Sequence, residues 1–401
     1  MNRSQLVFKA IDIFGYIPQN MTRYKDINRI KDIPFNEHAE LGVSGDVYYC
    51  EPIMNKSRET GVKMPVILNI HGGGFVMGDK NYRKSYSSFW AERGYFVFNI
   101  NYRLAPMVQF PEFINDAVDG LNYLKELKKF YTNLDLDRII IMGDSSGGYL
   151  ASYLTAVAFD DELTEKLGIH KCELKPACLA PFCGIYDVET LLEKNVLPLQ
   201  LAEVTAETFL GFDASEGIEK LKDYKYFDYV GPSSFVNEKW CPMFITWAEE
   251  DFICTDQGQP MMDKVIEKIG ADKVDCFVAK GIQNLHCFHL NLALKIAKDC
   301  VDACDKFIKR ILDIDPVLEE YLRSEYEKDE EEESLKDKIL NELKEIREKI
   351  EDESEDSLKE KLLSKVRELK ESLDKKKDDQ DDEPEQTEQA EQTEEKQEVN
   401  V

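Results

Sequence analysis

One hexapeptide, Gly143-Asp144-Ser145-Ser146-Gly147-Gly148, constrains this chain more than any other feature. It directly follows the apolar run Ile139-Ile140-Ile141-Met142 and directly precedes a helical pattern over residues 149–158. Strand, sharp turn and helix in that order are the context in which G-x-S-x-G presents a serine for chemistry. The turn forces the serine into a strained backbone conformation, so its neighbours must be small. The strain lifts the Ser145 hydroxyl above the sheet edge at the start of the next helix. The competing reading is a Gly/Ser-rich turn without function, and the flanking pattern weighs against it.

Short apolar runs at 65–70, 95–100, 138–142, 243–247 and 274–278 read as buried parallel strands. Between them lie amphipathic helical patterns, at 112–130 with Phe113, Ala117, Leu121, Leu124 and Leu127 on one face, and at 290–311 with Leu292, Ile296, Ala297, Val301 and Phe307. Strand alternating with helix predicts a doubly wound α/β domain over 46–315. With 3 Trp, 18 Tyr and 21 Phe in 401 residues, the chain has the aromatic surface for a large core. Two stretches break the rhythm. Residues 1–45 precede any sheet signal. Residues 188–238 occupy the place of a single crossover but are far too long for one, and their aromatic content suggests a cap or binding element.

The formal charge of −28 excludes a nucleic-acid partner and an anionic membrane surface as natural expectations. Residues 325–401 hold 31 Asp+Glu against 15 Lys+Arg, so −16 of the net −28 belongs to the tail. Within the tail, residues 325–376 carry apolar spacings of three and four (Ile339, Leu343, Ile346, Ile350; Leu362, Val366, Leu369, Leu373), a short heptad signal of helical character. Residues 377–401 lack any apolar pattern and read as disordered. A solvated charged appendage is the plain reading of this tail; a self-associating or partner-binding helical element is the other. Ten cysteines show no CxxC pair and no zinc-ligand spacing, and the N-terminal twenty residues form neither a secretory signal nor a membrane span. The expectation is a cytoplasmic chain with reduced thiols, no metal and no membrane span.

The second chemical signal is His71-Gly72-Gly73-Gly74-Phe75, just after the run at 65–70. An oxyanion formed by attack on a carbonyl must meet backbone N–H donors already in place, and consecutive glycines allow that close approach. A flexible turn or a phosphate loop is the alternative, but no P-loop spacing follows. A serine nucleophile also needs an acid and then a base, in that chain order. Of the five histidines, His38, His71 and His170 come too early, which leaves His286 and His289. His286 lies in the loop before the last helical pattern and His289 at that helix's expected start. For the acid, Asp251 stands just past the end of the run at 243–247, with Glu250 and Asp256 as competitors.

With these pieces together, the chain resembles the hormone-sensitive-lipase-like family of α/β-hydrolase carboxylesterases. The matching segments are HGGGF at 71–75, NYRLAP at 101–106, FPEFINDA at 110–117, GDSSGG at 143–148, the acid loop at 251 and HCF at 286–288, over roughly residues 40–312. The resemblance implies an α/β-hydrolase fold, a mostly parallel sheet flanked by helices, with a cap built from residues 1–45 and part of 188–238. It implies Ser145 as nucleophile, Asp251 as orienting acid, His286 as base, and the amides of Gly73, Gly74 and Ser146 as oxyanion hole. The motif residues His71, Gly72, Gly143, Asp144 and Gly147 support that site. The implied reaction is hydrolysis of short-chain acyl esters, with a small-molecule ester as partner and no cofactor. A peptidase or amidase with the same triad, or a non-catalytic ligand receptor on the same fold, are the rival readings. The chain departs from the family in three places. Phe252-Ile253-Cys254 follows Asp251 where Pro-Leu is usual, Cys287 follows His286 where Gly is usual, and the tail has no counterpart.

Overall fold

In the computed structural model, which describes residues 19–193, 201–211, 218–281 and 285–314, the apolar runs become strands of one eight-stranded sheet. In chain order the strands are β1 (Ile27–Ile33), β2 (Gly45–Cys50), β3 (Met64–Ile70), β4 (Phe96–Ile100), β5 (Leu134–Asp144), β6 (Cys178–Phe182), β7 (Met243–Ala248) and β8 (Val274–Ala279). Their spatial order is β1-β2-β4-β3-β5-β6-β7-β8. The β1/β2 and β2/β4 pairs are antiparallel and every later pair is parallel.

The central strands are apolar on both sides because helices cover both faces. All residues of β3, β4 and β6 are buried. The helices are α1 (Glu51–Thr60), α2 (Lys84–Glu92), α3 (Glu112–Phe130), α4 (Ser146–Phe159), α5 (Asp161–Leu167), α6 (Val188–Glu193), α7 (Leu201–Leu210), α8 (Gly258–Ile269) and α9 (Lys295–Leu312). On one face, Phe89 and Trp90 of α2 and Cys300, Val301, Cys304 and Phe307 of α9 join Ile67, Val97, Ile140, Met142 and Phe244 in a single cluster. On the other face α3 and α4 lie against β3 and β5. There the missing side chain of Gly120 lets α3 approach Ile100 and Leu68.

Two expectations about elements need correction. Residues 1–45 do not all lie outside the sheet, because 27–33 form the edge strand β1. Its sequence INRIKDI carries three charges and is half exposed, as an edge strand must be, so it shows no apolar run. The helical pattern at 290–311 starts later than its apolar residues suggest. Leu294 is extended, and Phe288–Leu290 forms a separate 3-10 turn that contains His289.

The long stretch after β6 holds α6, α7 and three short 3-10 turns before the chain re-enters the sheet as β7. It is tied to the serine's helix: the Tyr149 hydroxyl donates to the Val230 carbonyl at 2.9 Å, and that of Tyr153 to the Tyr229 carbonyl. Among the described residues no helix is long and apolar enough to cross a membrane. The chain divides into two units, Met1–Leu322 and Arg323–Val401. The proposed helical extension and acidic tail, and the first part of the proposed N-terminal cap, lie outside the described residues.

Candidate active site

Ser145 stands between the end of β5 and the start of α4 with φ 54 and ψ −120. A non-glycine residue at positive φ costs on the order of 1–3 kcal/mol and persists only where its surroundings hold it. The strand fixes one side, through the Ser145 N–H donating to the Phe182 carbonyl at 2.9 Å. On the other side α4 crowds the sheet so closely that a Cβ on Gly147 would lie 2.1 Å from the Ile70 carbonyl oxygen. Gly143 pairs with Ile70 in the ladder. Ser146 is the first residue of α4, so its N–H is among the helix's unsatisfied donors.

The glycine loop follows β3 and lies against this turn. A Cβ on Gly72 would come within 3.0 Å of Ser145 Cβ and 2.5 Å of an Asp144 carboxylate oxygen. Gly73 has φ 130 and turns the chain back, with its carbonyl accepting from the N–H groups of Val76 and Met77. His71 is buried, stacks on Tyr102 at 4.6 Å and has Nδ1 2.8 Å from the Gly72 carbonyl; burial holds its pKa below the usual value. Tyr102 in turn donates to the His71 carbonyl at 3.2 Å and approaches the Ser146 hydroxyl at 3.4 Å. That explains the tyrosine of the NYRLAP segment. Its arginine, Arg103, grips buried Asp116 of α3 through Nε at 2.9 Å.

Asp251 follows β7 and His286 follows β8. His286 Nδ1 donates to Asp251 Oδ2 at 2.8 Å, while Asp251 Oδ1 accepts from the N–H groups of Ile253 and Cys254, both at 2.9 Å. Of the three carboxylates weighed for this place, Asp251 therefore holds the imidazole. Burial alone would raise its pKa, but His286 and the two amides outweigh burial and lower it. For His286, burial disfavours the charged ring, but the Asp251 carboxylate and, after it, the Cys254 thiol together outweigh burial and lift the pKa well above 6.5. His289 has a different environment: it is fully buried, stacks on Phe182 at 4.4 Å and lies beside the Cys183 thiol.

Three features escaped the sequence. Arg83 makes a two-pronged contact with the buried Asp144 carboxylate, Nε to Oδ1 at 2.6 Å and Nη2 to Oδ2 at 2.5 Å. The two residues are 61 positions apart, and no local signal joins them. Cys183, Cys254 and Cys287 surround the His286 ring. The Cys287 thiol also reaches Asp144 Oδ2 at 3.8 Å, which brings the histidine loop beside the serine turn. Finally, Phe209 of α7 stacks on Phe75, the residue ending the glycine loop. A cavity of about 570 Å³ opens nearby between Met107, Phe110, Leu210 and Tyr226, but none of Ser145, Asp251 or His286 lines it.

The BD-FAE family model matches residues 53–264. Among curated proteins, tuliposide A-converting enzyme b1 of Tulipa gesneriana is 33% identical over 102 residues, covering 23% of this chain and 27% of that protein. A putative alpha/beta hydrolase of Acanthamoeba polyphaga mimivirus is 37% identical over 93 residues, again covering 23% and 27%. The chain thus spans about a quarter of the length of these relatives. Among solved structures, esterase B from Lactobacillus rhamnosis inhibited by a C4-C4 SN3 tributyrin phosphonate is similar, with TM-score 0.61, 20% identity and coverage of 81% of this chain and 97% of that one. A bacterial heroin esterase has TM-score 0.57, 20% identity and coverage of 77% and 91%. The fold is the α/β-hydrolase fold of these esterases.

Proposed function

From the premise that this chain belongs to the BD-FAE family, we propose that it is a serine carboxylester hydrolase that acts on short-chain acyl esters through an acyl-enzyme. The observation that carries the reading is the 2.8 Å contact between His286 Nδ1 and Asp251 Oδ2, with the histidine loop against the strained turn that holds Ser145. Nδ1 is engaged with the acid, so Nε2 is the nitrogen that takes the Ser145 proton as the hydroxyl attacks the ester carbonyl. The amides of Gly73, Gly74 and Ser146 receive the charge that develops on the carbonyl oxygen. His286 then protonates the leaving alcohol, and water activated by the same ring releases the acid.

The preference for short acyl groups rests on the aromatic crowding beside the glycine loop, where Phe75, Phe113, Tyr149 and Phe209 are packed together. It is also in keeping with the tributyrin-derived inhibitor on a similar esterase. The test is a panel of p-nitrophenyl esters from acetyl to dodecanoyl beside aminoacyl anilides, each repeated with Ser145→Ala. Turnover confined to the shorter esters and abolished in the variant is the expected result. Faster anilide cleavage would make the protein an amidase. Binding without turnover of any substrate would make it a receptor.

A further inference from the structure

Two cysteines converge on the proposed catalytic histidine from separate loops. Cys183 follows β6 and Cys287 follows His286. Their sulfur atoms and a His286 ring nitrogen all lie within 4.8 Å of one another. Both cysteines have left-handed backbones, φ 49 and φ 57. That conformation suits glycine, so each thiol is held in place at a cost in strain. We propose that Cys183, Cys287 and His286 form a binding site for a thiophilic divalent cation of the zinc type, and that occupation of this site switches hydrolysis off.

The donor set is the one such a cation prefers, two sulfurs and an imidazole nitrogen. Tetrahedral bonds of about 2.3 Å to sulfur and 2.0 Å to nitrogen put ligand atoms roughly 3.5–3.8 Å apart. The three atoms therefore close on an ion with shifts of about 1 Å or less. On binding, both thiols and the imidazolium give their protons to solvent, the ion exchanges three of its waters for two metal–sulfur bonds and one metal–nitrogen bond, and nothing is oxidised. The His289 ring also lies beside Cys183 and is a further nitrogen donor. His286 is partly open to solvent, its side chain 12% exposed, which gives the ion a way in. A ring bound to metal cannot serve as general base. The inhibitory half of the inference rests on the function proposed above; the site itself does not.

The experiment adds Co²⁺ to the full-length reduced protein and follows near-ultraviolet absorption. Thiolate coordination gives a charge-transfer band that carboxylates on an acidic surface do not give. The expected result is one saturable band, displaced by Zn²⁺ and lost in Cys183→Ser and in Cys287→Gly. The second variant relieves a left-handed residue and so keeps the fold. In parallel, Zn²⁺ should abolish ester turnover in the wild type, a chelator should restore it, and whatever turnover Cys287→Gly retains should be at least tenfold less sensitive to Zn²⁺. Absence of the band from folded wild-type protein, or its persistence in both variants, would overturn the site. A band without any esterase turnover would leave the site standing and sink the function. Turnover unaffected by a filled site would sink the switch alone.

Discussion

The ring of Phe75 stacks on that of Phe209 with centroids 4.3 Å apart and planes 18° from parallel, joining the glycine loop to the long insertion after β6. Phe75 is itself at φ 65 and meets Tyr149 of the serine's helix edge-on at 5.0 Å. The insertion thus bears on the glycine loop, whose amides are the proposed oxyanion donors. Phe209→Ala removes the stack and opens a void above the loop. Such pairs contribute about 0.5–1.5 kcal/mol beyond their buried area. The expected outcome is a lower Tm together with a several-fold loss in kcat on a short ester. A variant that lost stability while keeping full turnover would show that the insertion does not position the loop.

A second prediction concerns Arg83. Its guanidinium is the paired cation of buried Asp144, whose pKa burial would raise and Arg83 instead lowers. Arg83→Met leaves that buried carboxylate without its cation, which costs about 3–5 kcal/mol. The sign with pH follows from the depressed value. In the wild type the pair's contribution is present above the unfolded carboxylate pKa, near 3.9, and fades as pH falls through the lower folded value. In the variant the carboxylate titrates upward instead. The stability gap between the two proteins, measured by urea unfolding, should be widest near neutral pH and narrow as the solution is acidified. A gap independent of pH would mean that Asp144 is not the group responsible.

How much of this was legible beforehand depends on whether a feature is local. The turn around Ser145 and the five strands with continuous apolar runs are local, because a strand covered on both faces must be apolar throughout. β2 was hidden by buried Asp46, β6 by Pro181 within a central strand, and β1 by the charges an exposed edge tolerates. Arg83–Asp144 and the thiols around His286 are contacts between loops far apart in sequence, set by the sheet order rather than by any run of residues. Order along the chain did narrow the acid and base to a few candidates. The sequence favoured Asp251 over Glu250 and Asp256 by its place after β7, and the 2.8 Å contact with His286 adds support that no local pattern carries.

A third prediction follows from that bond. The free base is the active form, so kcat/KM should climb with pH as His286 loses its proton. Asp251, with Cys254 beside it, overrides burial and lifts this pKa, so the climb should be centred above 6.5. Asp251→Asn removes the charge and leaves burial to dominate. Its limb should shift to lower pH, and turnover should fall by about 10⁴ where orientation and charge are both lost. A limb that stayed in place would separate His286 from Asp251 in the working enzyme.

The glycine loop gives a fourth. At φ 130 Gly73 is strained for any other residue, and a Cβ there would lie 2.0 Å from the Met77 carbonyl oxygen. Gly73→Ala must therefore push the loop away from Ser145. Losing one oxyanion donor outright costs about 10²–10³ in kcat. A folded variant with near wild-type turnover would remove Gly73 from the oxyanion hole.

The last prediction separates the two late histidines by the work their surroundings allow. His286 has one ring nitrogen engaged with a carboxylate and part of its surface open. The His289 ring is closed off entirely, stacked on Phe182 and edge-on to Tyr86 and Phe288. A buried imidazole surrounded by aromatics serves as a flat packing element, and Phe has nearly the same shape. His289→Phe should therefore keep ester turnover within a few-fold and hold the Tm close to the wild-type value. His286→Ala should abolish turnover about as completely as Ser145→Ala, and the double variant should be no worse than either, because nucleophile and base act as one unit. If the phenylalanine at 289 silenced the protein while His286→Ala still turned over ester, the base would sit on the other loop position, and the acid assigned through His286 would go with it.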